Sequence, residues 1–140
     1  MIQPALESAA RSLIGVPFRL HGRDAQSGLD CVGVVAEVLR AVGMQPSAPE
    51  GYALRNVCIS RFLRFAADNA LIRAEHDGDI VLCMVNPIQP HLLVRVSGGF
   101  VHAHASLRRV TFMPDPLPWP ISMQWKLDVP EHMTKRDGNF

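Results

Sequence analysis

Apolar residues recur at helical spacing in three stretches of the first half of the chain, and then the period changes. Over residues 4–14, Leu6, Ala9, Ala10, Leu13 and Ile14 share one face, which predicts an amphipathic helix with Pro4 tolerated in its first turn and Gly15 as its stop. After Cys31, the residues Val34, Val35, Val38, Leu39 and Val42 repeat the pattern, with Glu37 and Arg40 on the other side and Gly43 closing it. Ile59, Phe62, Leu63, Phe65 and Ala66, with Arg61 and Arg64 outside, predict a third helix over residues 57–70. Beyond the turn Asp77-Gly78-Asp79, a continuous apolar run over residues 80–85 reads as a buried strand. Residues 91–96 and 100–105, joined through Ser97-Gly98-Gly99, read as a hairpin, and residues 110–113 and 121–127 as further strands.

The segments between these elements carry turn chemistry. Pro17 extends residues 16–20, and residues 21–28 form a loop that delivers the chain to Cys31. Prolines and glycine dominate residues 45–56, a surface loop holding Tyr52, the one tyrosine, while Pro87 and Pro90 punctuate another loop. Residues 128–140 are polar and lack a periodic face, which reads as a loose tail. Helices first and strands afterwards predict one α+β domain over residues 1–127, its N-terminal helices packed on a C-terminal antiparallel sheet.

Composition narrows the function classes. The 140 residues are 48% hydrophobic, enough for one core. A net charge of +1 with interspersed signs gives no field for a polyanion, so nucleic acid is not the expected partner. Cys31, Cys58 and Cys83 form an odd, sparse set without a C-x-x-C, which indicates neither a disulfide framework nor a zinc ribbon. Met1-Ile2-Gln3-Pro4 lacks the features of a secretory leader, and no apolar run is long enough for a membrane span. Cytoplasmic synthesis without membrane insertion is the expectation.

Cys31 is the candidate nucleophile. Asp30 is a good N-cap, which puts Cys31 in the first helical turn among unpaired amides, a place expected to lower a thiol's pKa. A cysteine among valines also packs as a small apolar residue, so partners must decide. Three of the six histidines, His91, His102 and His104, fall on one hairpin, where one imidazole serves as base and a second polar group orients it. A two-residue tip opposes His91 to His104 with His102 diagonal on the same face; a wider tip opposes His91 to His102. His102-x-His104 with His91 also has the makings of a three-histidine zinc site, a reading that leaves Cys31 without a role. His21, His76 and His132 lie in loops or the tail.

These blocks resemble the NlpC/p60 cell-wall cysteine peptidases, papain-like domains that cleave peptidoglycan stem peptides. Gly15-Val16-Pro17-Phe18 and Asp30-Cys31-Val32-Gly33 are similar to that family's G-x-P-Y and D-C-S-G signatures. Gly78-Asp79-Ile80-Val81 resembles its G-D-L-V strand, His91-Leu92-Leu93-Val94 its H-V-G-I, and Phe100-Val101-His102-Ala103 its F-I-H-A. The resemblance implies Cys31 as nucleophile, His91 as base and His102 as the residue orienting it, with no metal or organic cofactor. It puts Phe18, His21, Asp30, Tyr52 and His104 at the substrate, a peptidoglycan stem peptide. Phe18 replaces the usual tyrosine, Val32 the usual serine, and His21 a common glycine.

Gly22-Arg23-Asp24, Val32 and the Tyr52 loop are most similar to members encoded among tail genes of phages and gene-transfer agents, which implies tail proteins as partners and carriage on a tail-like particle. The alternative expectation is a tail assembly component that keeps the fold with weak or no activity. Acyltransferase or amidase chemistry with the same dyad is a third.

Overall fold

A computed structural model describes residues 4–44, 71–86 and 89–127. The expected helix over residues 57–70, the loop with Tyr52, Cys58 and the tail over residues 128–140 lie outside the described residues. Helix α1 (Pro4–Ser12) is followed by two short strands, β1 (Arg23–Asp24) and β2 (Gly28–Leu29), and by helix α2 (Cys31–Ala41). Strands β3 (Leu71–Ala74), β4 (Ile80–Asn86), β5 (Gln89–Val96), β6 (Gly99–His104), β7 (Arg109–Pro114) and β8 (Ile121–Leu127) complete the order.

The six later strands form one antiparallel sheet in the order β3-β8-β4-β5-β6-β7, so β8 inserts between β3 and β4. Helix α2 packs by its valines: Val32, Val34, Val35, Val38 and Leu39 are buried in a cluster shared with Leu82, Leu92, Val94, Val101 and Ala103 of the sheet. Burying each such side chain contributes roughly 1.5–3 kcal/mol, which is what holds the helix start in place. On the opposite sheet face Val81, Cys83, Leu93 and Phe100 make a second cluster, closed by Met113, Leu117 and Trp119. The α+β class with helices on an antiparallel sheet is as the hydrophobic pattern predicts.

Several boundaries differ from the sequence reading. Helix α1 stops at Ser12, because Leu13 and Ile14 enter a turn whose Gly15 takes φ 97° and donates its N–H to the Val110 carbonyl. The loop over residues 21–28 contains a two-residue ladder, Arg23 to Leu29 and Asp24 to Gly28. Pro90 lies in β5, not in a loop, opposite Met84. Strand β3 carries no period long enough to be read in advance: four residues, with Leu71 buried and Ile72 and Arg73 exposed.

Close backbone contacts fix the entry to α2. A Cβ on Gly33 would stand 2.1 Å from the Gly22 carbonyl oxygen, and one on Gly22 would stand 2.2 Å from that of Gly28. Loop and helix therefore touch backbone to backbone two residues beyond Cys31.

Candidate active site

Asp30 caps α2 with extended backbone, φ −102° and ψ −170°. Its carboxylate is buried and held from several sides: Oδ1 accepts from Gly33 N and Arg23 Nη1, both at 2.9 Å, and Oδ2 from His21 N at 2.8 Å. His21, whose own side chain is exposed, takes a left-handed φ of 63° to make that bond. Asp30 thus organises the helix entry. Cys31 follows at the first helical position, half-buried against the main core with Phe18 nearby in the same cluster.

Strands β5 and β6 explain how the sulfur meets the sheet. The hairpin tip is the two-residue one, with Val96 opposite Gly99, Arg95 opposite Phe100 and Val94 opposite Val101. There the ladder ends, although β4 still holds β5 as far as Gln89 and β7 holds β6 as far as His104. A continued ladder would turn the Leu92 N–H towards β6. Instead the Leu92 N–H faces the Cys31 sulfur, as does the N–H of Val32, and both favour a thiolate. The sulfur occupies the parting of the two strands, one residue from His91.

His91 and His102 meet across the same parting. His91 Nε2 lies 2.8 Å from His102 Nδ1, with ring centroids 5.1 Å apart and planes at 76°. The register is the tight one, yet the touching pair is the diagonal one, because the strands no longer run as a flat ladder at this level. His102 is buried, and its Nε2 lies 3.3 Å from Thr111 Oγ1, on the residue opposite it in β7. Trp119 stands edge-on to both rings, at 6.0 Å and 87° from His91 and 6.3 Å and 67° from His102. His104 sits 5.5 Å from His102 at a tilt of 56°, and its Nδ1 accepts from Leu107 N at 3.1 Å in the following turn.

The electrostatics overturn one expectation. A depressed thiol was expected at the helix start; burial instead pushes Cys31 up to about 12, helped by the Asp30 carboxylate and only partly offset by the two amides and Arg23. Desolvation of the charged form outweighs the helix dipole here. Burial, with His102 and His104 beside it, brings His91 down to about 3, and burial with His104 brings His102 down to about 4. The resting pair is a neutral thiol and a neutral imidazole. No hydrogen bond joins Cys31 to His91 among the described residues: the structure brings His91 to His102, and it holds the sulfur at the backbone N–H of Leu92, the residue after His91.

The three-histidine zinc arrangement fits poorly. His91 and His102 turn their nitrogens on each other at hydrogen-bond distance, and His104 Nδ1 is taken by the Leu107 amide. No cluster of three metal-binding side chains is found among the described residues.

Two site residues escaped the sequence reading. Thr111 was legible in principle, since a turn over residues 105–108 places it opposite His102. Trp119 arrives from a proline-rich connection that no periodicity marks. Tyr52 lies outside the described residues. Cys83 is buried as expected, directly opposite His91 in the β4–β5 ladder.

No family model matches the chain and no curated protein matches it. Solved structures do. NlpC1 from Trichomonas vaginalis superposes with TM-score 0.61 at 18% identity over 91% of this chain and 46% of that one. A protein of the NLP/P60 family from Staphylococcus aureus, described as similar to lipoprotein, gives 0.59 at 15% identity over 90% of this chain and 41% of that one. The NlpC/p60 domain of the peptidoglycan hydrolase SagA gives 0.52 at 21% identity over 79% of this chain and 86% of that domain. The chain spans less than half the length of the first two. Its fold is that of NlpC/p60 domains: two helices, among the described residues, against a six-stranded antiparallel sheet.

Proposed function

We propose that this protein is a cysteine peptidase that hydrolyses amide bonds in peptidoglycan stem peptides. The observation that carries the reading is a helix-start cysteine set in a strand parting one residue from a histidine that a second histidine holds at 2.8 Å. The SagA domain, named a peptidoglycan hydrolase, shares the fold and supports the substrate class.

In the mechanism, the Cys31 sulfur attacks the amide carbonyl while its proton passes to His91 Nδ1, the ring nitrogen not engaged by His102. The Cys31 N–H, the first-turn amide of α2 taken neither by Asp30 nor by the sulfur, stabilises the oxyanion, which matters more because Phe18 brings no hydroxyl. The C–N bond then breaks, His91 returns the proton to the leaving amine, and water releases the acyl group from sulfur by the reverse steps. Since both groups rest neutral, proton transfer accompanies C–S bond formation instead of preceding it. Asp30, buried and hydrogen-bonded on both oxygens, acts by positioning the helix start; Phe18, His21 and His104 are the residues proposed to meet the substrate.

Gly22-Arg23-Asp24 and Val32 carry the further proposal that the enzyme is delivered on a phage-tail-like particle. Phe18 in place of tyrosine, together with the unbonded neutral pair, favours the second reading, a tail component with little activity.

Incubation with muropeptides and mass spectrometry of the products decides between them. The wild type is expected to release stem fragments, and Cys31→Ala and His91→Ala to reduce the rate by about 10³-fold or more, alike because they act as one unit. His102→Ala should cost less. A folded wild type that cleaves no stem peptide refutes the peptidase reading.

A further inference from the structure

We propose that Thr111 is a positioning residue: its hydroxyl accepts the Nε2 proton of His102 and so holds the two-histidine relay in the tautomer that leaves His91 Nδ1 bare for the Cys31 proton. The role rests on the reading of Cys31 and His91 as nucleophile and base, but its central measurement does not depend on it.

A neutral imidazole carries one donor and one acceptor nitrogen, so the 2.8 Å contact between His91 Nε2 and His102 Nδ1 allows only two settings. In the first, His91 donates from Nε2, His102 accepts at Nδ1, and His102 Nε2–H points at Thr111 Oγ1, 3.3 Å away. His91 Nδ1 is then an acceptor, as a base must be. In the second, His102 donates from Nδ1 to His91 Nε2, and the His91 proton moves to Nδ1. That proton blocks the very nitrogen the thiol needs.

Thr111 weights this choice. It stands opposite His102 in the β6–β7 ladder, and as a β-branched residue it is stiff about χ1, so the strand itself aims its hydroxyl. His102 is 2% exposed, which leaves water little access to its far nitrogen. A buried N–H without an acceptor is costly and rare. In the second setting the same hydroxyl can turn and donate to the bare His102 Nε2, but its removal there leaves only an unmet acceptor, whereas in the first setting it strands an N–H; losing the hydroxyl therefore releases the relay towards the second.

The test uses the full chain with 15N-labelled histidine and long-range 1H–15N correlations at pH 7, where burial keeps both rings neutral and tautomers are read directly. In the wild type His91 and His102 are both expected to carry their proton on Nε2. Thr111→Val should shift the ratio towards the Nδ1–H forms by roughly three- to tenfold, the equivalent of one neutral hydrogen bond, and Thr111→Ser should restore it. Thr111→Ala removes the hydroxyl with more room if the valine variant does not fold. On stem peptides Thr111→Val should lower kcat with KM little changed. A wild-type His102 protonated on Nδ1, or an unchanged ratio in both hydroxyl-free variants, overturns the proposal. Absence of hydrolysis by the wild type would refute the peptidase reading and leave the tautomer result to decide Thr111 alone.

Discussion

Asp30 is the residue whose replacement separates packing from electrostatics. Asp30→Asn keeps the shape and the helix cap, since asparagine caps as well as aspartate, but removes the charge that Arg23 faces at 2.9 Å. The amide nitrogen also confronts the His21 N–H, donor to donor, where the carboxylate accepted at 2.8 Å. Hydrogen bonds to a charged group contribute about 1.5–3 kcal/mol each, and Arg23, part-exposed, regains some water, so a loss of roughly 2–4 kcal/mol is expected. The effect on Cys31 runs the other way. Asp30 raises that thiol and Arg23 lowers it. Asp30→Asn should therefore speed alkylation of Cys31 at pH 9 by roughly three- to tenfold, while Arg23→Gln, destabilising for the same lost ion pair, should slow it. Peptide mapping of iodoacetamide adducts isolates Cys31 from Cys83, and urea denaturation measures stability. Loosening of the helix start alone would speed both variants. If both accelerate alike, the charges around the sulfur do not set its reactivity and the electrostatic account is wrong.

Gly33→Ala gains about 1 kcal/mol of helix propensity, but its Cβ meets the Gly22 carbonyl oxygen at 2.1 Å, an oxygen already bound by Arg23, so overpacking wins and a net loss of roughly 2 kcal/mol or more is expected in denaturant. A variant as stable as wild type would mean that the loop yields freely. Acid should weaken the fold early: His91 and His102 have folded pKa values of about 3 and about 4, below the unfolded value near 6.5. Below pH 6.5 the unfolded chain binds the extra protons, so stability is full above that pH and falls at up to about 1.4 kcal/mol per pH unit for each histidine as pH drops. Denaturation midpoints at pH 6.5, 5.8 and 5.0, above the carboxylate range, check it; a flat series contradicts the buried neutral pair.

Much of this architecture was legible because burial here follows simple periods. The valines of α2 repeat at helical spacing, and the alternation Phe100, His102, His104 against Val101 and Ala103 sorts β6 into the histidine face and the core face. Even the His91–His102 contact was legible in part, since the two-residue tip sets His102 diagonal to His91 on the same face. What escaped depends on neighbours far away in the chain. Strand β3 owes its existence to pairing with β8, fifty or more residues later; Pro90 is accommodated by a ladder to β4; Trp119 reaches the site by a route without period. The thiol's ionisation escaped for a related reason. A helix start is visible in sequence, but the depth at which other elements bury it is not, and depth decides whether the dipole or desolvation prevails.

The parting of β5 from β6 ties these observations together. A ladder continued past Val94 and Val101 would spend the Leu92 N–H on β6 and leave the sulfur no place in the sheet. It would also set His91 opposite His104, whose Nδ1 is committed to the turn at Leu107 and has no acceptor behind it comparable to Thr111. Ending the ladder three pairs from the tip frees one amide for the sulfur and lets His91 reach the histidine with a partner on its far side. The same opening is what burial by α2, Trp119 and the sheet closes around, and that burial keeps both the thiol and the imidazole neutral. Under the proposed peptidase mechanism, reactivity is governed by how well the relay behind His91 is held, and less by how acidic the thiol is at rest.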